Sequence, residues 1–154
     1  MNLQSFYSIA LNGHQSAIND VKNGSLPKWG TFNCIQSISS DTESVRINSK
    51  LGNAKIKTLI DIKTKRSLIH FYLFDNLIFK IYLNANESIS DKTVLKVLRI
   101  GNNAWFSSTT KKHIKYISNA LDARFFMFTK KFETFLSDAN GITELINYND
   151  YEVA

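Results

Sequence analysis

Two constellations in this 154-residue chain have the residue types and spacing to do chemistry. The first is Asp61-Ile62-Lys63, with Asp41 and Glu43 upstream. Carboxylates so placed can hold a divalent metal, and the lysine can orient an attacking water, which is the apparatus of metal-dependent phosphodiester cleavage. The same pattern arises wherever an alternating strand presents Asp and Lys on its wet face. The second is Trp105-Phe106-Ser107-Ser108-Thr109-Thr110-Lys111-Lys112-His113-Ile114. Ser108 or Thr109 can cap a helix there, and amides and lysines at a first turn can hold an anion such as phosphate. A plain capped helix end fits the same residues. Lys111, Lys112, His113, Lys115 and Trp105 are therefore candidates for a surface that binds nucleic acid or another partner. Lys130 and Lys131 extend it if the next element folds back alongside.

Other catalytic apparatus is missing from the sequence. Cys34 is the lone cysteine, so neither an intrachain disulfide nor a cysteine metal cluster can form. His70 lies inside an apolar stretch and reads as a core or cross-strand residue. No Gly-rich phosphate loop, nucleophile elbow or metal-spaced His and Cys set is present, and no zinc-finger or RNP signature. No cofactor or metal is expected outside the acid-lysine reading.

The charge balance points to an anionic partner. The net charge is +6. Lys92, Lys96, Arg99, Lys111, Lys112, Lys115, Arg124, Lys130 and Lys131 are accompanied only by Asp91 and Asp122. Beyond Lys131 the sign reverses, with Glu133, Asp138, Glu144, Asp150 and Glu152. Such asymmetry suits a surface that attracts anions, and a solvated basic protein would carry it too. A basic balance excludes mimicry of DNA, which needs an acidic surface. The 44% hydrophobic and 21% charged content excludes a disordered chain. No apolar run reaches the length of a membrane span. Met1 to Phe6 lacks the features of a signal peptide, so a cytoplasmic location is expected, with no membrane partner.

These residues must be positioned by regular elements. Leu68 to Leu83 reads as a central β-hairpin around the turn pair Asp75-Asn76. Before it, Trp29–Ile38, Ser44–Asn48 and Ala54–Lys63 alternate as strands, the last with Lys55, Lys57, Asp61 and Lys63 on a wet face. After it, Val94–Ile100 reads as a strand, and Gly101-Asn102-Asn103 as a turn leading into Trp105-Phe106. Leu3 to Lys22 carries helical spacing, interrupted at Gly13, with His14 in a loop or at a helix start. Ser108 or Thr109 opens a helix whose inward stripe is Ile114, Ile117 and Leu121, which leaves Lys111, Lys112 and Lys115 outward. Phe125, Phe128, Phe132 and Phe135 predict a second helix over 123–137. The expected fold is a single α+β domain over 1–154. An antiparallel sheet of about five to seven strands, near residues 29–107, is flanked by N- and C-terminal helices, with an acidic tail over 142–154.

The stretch from Trp105 to Ile114 resembles a family of short uncharacterised phage proteins. They carry an aromatic, a Ser, a Thr-Thr pair, a basic residue and a His at the same point, leading into a helix. Ser5-Phe6-Tyr7 is loosely similar to their aromatic start. The resemblance implies a phage or mobile-element origin and no chemistry. The function expected is therefore a non-enzymatic accessory protein. It would bind nucleic acid or a host nucleic-acid-handling complex, an inhibitor of host defence being one such role. The alternatives are a restriction-type nuclease using Asp41, Glu43, Asp61 and Lys63, and a structural or assembly protein.

Overall fold

The computed structural model describes residues 2–27, 35–89, 96–99, 108–121, 126–130, 133–137 and 143–145. Helix α1 spans Leu3–Lys22. Asn2 caps it, its side-chain oxygen accepting the Ser5 amide at 2.8 Å. The expected break at Gly13 is absent: α1 runs through it, and both Gly13 and His14 are buried in mid-helix. A helical glycine costs about 1 kcal/mol relative to alanine. Burying Phe6, Tyr7, Leu11, Ile18 and Val21 on one stripe contributes roughly 1.5–3 kcal/mol for each large side chain and outweighs it.

Six strands follow as an antiparallel meander in chain order: β1 (Ile35–Ser40), β2 (Ser44–Leu51), β3 (Ala54–Asp61), β4 (Ser67–Leu73), β5 (Asn76–Leu83) and β6 (Lys96–Arg99). The expected strand at 29–38 is described only from Ile35 onward, and Trp29, Phe32 and Cys34 lie outside the described residues. The turn at 101–103 and the aromatic pair Trp105-Phe106 lie outside them as well.

The central hairpin forms, but its turn is Phe74-Asp75, one residue earlier than expected. Both residues have positive φ, 50° and 63°. A turn at Asp75-Asn76 would oppose Phe71 to Lys80 and drive a lysine into the core. The observed turn pairs Tyr72 with Leu77, and a bulge at Ile78 then brings Phe71 opposite Phe79. Their rings meet edge-on at 5.5 Å, and both are fully buried.

Helix α2 spans Ser108–Leu121 and buries Ile114, Ile117 and Leu121 as its stripe requires. Helix α1 packs on β2 and β3, and α2 packs on α1 and β5. Both helices thus take the same face of the sheet. The helix expected over 123–137 is replaced by two strands, β7 (Phe126–Lys130) and β8 (Glu133–Ser137). Phe128 stands opposite Phe135 in their register. Aromatic and β-branched residues suit a pleated ladder, and pairing between β7 and β8 overrides the helical spacing of the phenylalanines. Thr143–Leu145, at the start of the expected acidic tail, is a further strand, β9, paired with β8. Among the described residues no helix is long and apolar enough to cross a membrane.

Candidate nucleic-acid interface

Because α1 and α2 take one face of the meander, the other face carries no helix among the described residues. On β2 and β3 the buried residues are Val45, Ile47, Ser49, Ala54, Ile56, Thr58 and Ile60. The intervening Arg46, Asn48, Lys50, Lys55, Lys57 and Leu59 therefore point away from the helices. On β4 and β5 the same alternation turns Leu68, His70, Tyr72, Lys80 and Tyr82 outward.

The register gathers these side chains into rows across the strands. One row runs Arg46, Leu59, Leu68, Tyr82, with Lys96 next in the pairing. The middle row runs Asn48, Lys57, His70, Lys80, with Arg99 next. The third runs Lys50, Lys55, Tyr72, Leu77. Five cations from β2, β3 and β5 thus share one face with His70, Tyr72 and Tyr82. Cross-strand neighbours lie about 5 Å apart, so Lys50 opposite Lys55 is a like-charge pair, offset in part by Asp75 beside Lys55.

Among the described residues, the contacts on this face include a cation over a ring, a hydrogen bond and two ion pairs. The Lys57 ammonium sits 5.1 Å from the centroid of the Tyr72 ring. The Tyr72 hydroxyl lies 3.3 Å from His70 Nδ1. Burial, and then the charges of Lys80 and Lys57, push His70 below its ordinary pKa. Two cations are matched at the rim: Arg46 by Asp41 at 3.4 Å, and Lys55 by Asp75. A hydrogen bond from Lys55 and its charge hold the Asp75 carboxyl below the usual range, with Lys50 and Lys57 adding to the effect. Lys50, Lys57 and Lys80 have no carboxylate partner among the described residues.

The residues singled out on α2 are placed differently. Lys112 and Lys115 are exposed, and Lys111 is half-buried. The Lys112 ammonium lies 6.0 Å from the Tyr116 ring centroid. His113, expected among the lysines, is only 5% exposed and bonds to Tyr7 at 2.7 Å. Its place in the buried stripe, three residues after Thr110 and four before Ile117, explains this. Trp105 and Lys131 lie outside the described residues, and Lys130 closes β7 instead of continuing a helix. The α2 lysines stand on the helix side of the sheet, so they do not merge with the outer face.

The acid-lysine constellation does assemble in part. Ser44 pairs with Asp61, and the Ile62 amide donates to the Glu43 carbonyl at 2.9 Å, so Asp41, Glu43 and Asp61 share one end of the sheet. Their oxygens serve turns. Asp41 accepts the amides of Glu43 and Ser44 at 2.7 and 2.8 Å, and Asp61 accepts that of Thr64 at 2.7 Å. These amide bonds are the main reason both carboxyls sit below their ordinary pKa. Lys63 is exposed in the turn. Among the described residues no three acids, histidines or cysteines converge to hold a metal ion.

No protein-family model, curated protein or solved structure matches this chain. The outer face was partly foreshadowed by the alternation of Lys55 and Lys57 on β3. Arg46, Lys50 and Lys80 join it only through strand order and register.

Proposed function

We propose that this protein acts by binding, and that its ligand is nucleic acid or a host complex that handles nucleic acid. The observation that carries the reading is the outer sheet face. Five cations converge there with aromatic side chains, and Lys50, Lys57 and Lys80 have no carboxylate partner among the described residues. Lys50 and Lys55 stand directly opposite across β2 and β3, and a polyphosphate ligand turns such repulsion into attraction and releases counterions. The resemblance of residues 105–114 supports an accessory role in a phage or mobile element, of which inhibition of host defence is one form. Metal-dependent cleavage gains no such support, because Asp41 and Asp61 are engaged by backbone amides.

The test is a fluorescence-anisotropy titration with labelled DNA and RNA across a range of salt. Binding that weakens steadily as salt rises is expected. Salt-independent or absent binding would overturn the nucleic-acid branch of the reading. A pull-down from host lysate, with and without nuclease treatment, then separates a nucleic acid from a protein complex as the partner.

A further inference from the structure

We propose that the outer sheet face takes a single strand, with bases lying on Tyr72 and Tyr82 and phosphates on the lysines between them. This rests on the nucleic-acid reading above and narrows its ligand. The width of the sheet argues first against a duplex. Six strands spaced about 4.8 Å span roughly 24 Å, whereas the major groove is about 12 Å wide and admits a helix or a two-stranded ribbon. A duplex could touch this face only through its backbone.

The composition of the face argues next for bases. Leu59, Leu68 and Tyr82 follow one another across β3, β4 and β5 in a single row. Leu59 is 39% exposed, an apolar surface that a phosphate backbone alone would leave unmatched. The next row along the strands carries Lys57, His70 and Lys80, and the third carries Lys50, Lys55 and Tyr72. On β5 the outward residues run Tyr82, Lys80, Leu77, a ring, a cation and an apolar side chain in succession, and an unpaired strand alternates bases with phosphates. The Lys57 ammonium already occupies the Tyr72 ring at 5.1 Å. A base stacking there exchanges with the ammonium, and the freed lysine, on its flexible stem, reaches the neighbouring phosphate.

The experiment compares four labelled probes of equal length by anisotropy: oligo-dT, oligo-U, a DNA duplex, and a strand of abasic units with the same phosphates. Wild-type protein is expected to bind oligo-dT or oligo-U more tightly than the duplex or the abasic strand, and the tighter of the two names the sugar. Tyr72→Leu and Tyr82→Leu should each weaken binding to the base-bearing strand by about 5- to 100-fold and leave the abasic strand unchanged. Tyr72→Phe and Tyr82→Phe should retain affinity. Equal salt-dependent binding of base-bearing and abasic strands by the wild type would overturn the single-strand proposal and leave the nucleic-acid reading standing. No binding to any probe would remove both this proposal and direct nucleic-acid binding, and leave a host protein complex as the partner. If a leucine variant fails to fold, the wild-type comparison of oligo-dT and oligo-U with the abasic strand still decides.

Discussion

The hydroxyl of Tyr7 on α1 lies 2.7 Å from Nδ1 of His113 on α2, and this bond ties the two helices together inside the core. The rings meet edge-on with centroids 5.8 Å apart. Burial pushes the Tyr7 hydroxyl up in pKa. Burial, and then the charge of Lys112, push His113 down. In the tautomer that carries its proton on Nε2, the imidazole accepts at Nδ1 and the Tyr7 hydroxyl donates. Tyr7→Phe keeps the ring and removes the donor, leaving Nδ1 in a buried place. We expect a loss of about 1–3 kcal/mol in urea unfolding. An unchanged midpoint would show that the bond adds nothing.

A second buried imidazole makes the protein acid-sensitive. His14 is fully buried, with Nδ1 2.6 Å from Thr58 Oγ1 and Nε2 2.7 Å from Ser49 Oγ. Burial pushes its pKa down to about 3. In the unfolded chain the ring titrates near 6.5, so below that pH the unfolded state binds a proton that the folded state refuses. Stability is full above about pH 6.5 and falls by about 1.4 kcal/mol per pH unit as pH drops toward 3. His14→Gln, although less stable, should show a flatter slope between pH 6 and 4. Parallel slopes for the two proteins would count against this assignment.

The facing phenylalanines of the central hairpin carry much of the core. Phe71→Ala and Phe79→Ala should each cost about 3–5 kcal/mol, because each leaves a cavity under α1 and α2. The two rings touch, so the double variant should lose a different amount from the two single losses added together. Near-wild-type thermal midpoints in both single variants would mean that the core lies elsewhere.

Two pairs of charge reversals locate the binding surface. Lys57→Glu with Lys80→Glu should reduce the salt slope of binding by about 1.4–1.8 if each lysine meets one phosphate. Lys111→Glu with Lys112→Glu, on the helix side, should reduce it less. The reverse ranking would move the surface to α2.

The carboxylates at the end of the sheet are turn residues. With magnesium or manganese present, purified protein should leave plasmid and RNA intact. Asp61→Ala should lower the thermal midpoint by freeing the Thr64 amide. The Asp61 contribution should also fade as pH falls through its depressed pKa, because protonation removes the charged acceptor. Metal-dependent cleavage that disappears in Asp61→Ala would restore the nuclease reading.

Residue pattern alone determined the α+β class, the stripe of α2 and the existence of the central hairpin, because each rests on a local period. Ile114, Ile117 and Leu121 repeat as a helix requires, and alternating isoleucines on β3 mark a half-buried strand. The turn at Phe74-Asp75 was not legible, since it faces Phe71 with Phe79 only in combination with the bulge at Ile78. The phenylalanines of 125–135 fit a helical period, and pairing between β7 and β8 decided for strands. Gly13 looked like a break until tertiary burial of the whole α1 stripe outweighed its propensity.

The candidate site divides in the same way. Sequence identified a basic chain suited to an anionic partner, since charge is a property of composition. It could not say which lysines share a face. Arg46, Lys57 and Lys80 are far apart in the chain, and only the register of β2, β3, β4 and β5 sets them on the face that carries Tyr72 and Tyr82. His14 and His113 each sit on a helix whose own pattern gives no sign of a partner. Thr58 and Ser49 for the one, and Tyr7 for the other, come from distant segments that meet only when the helices close on the sheet.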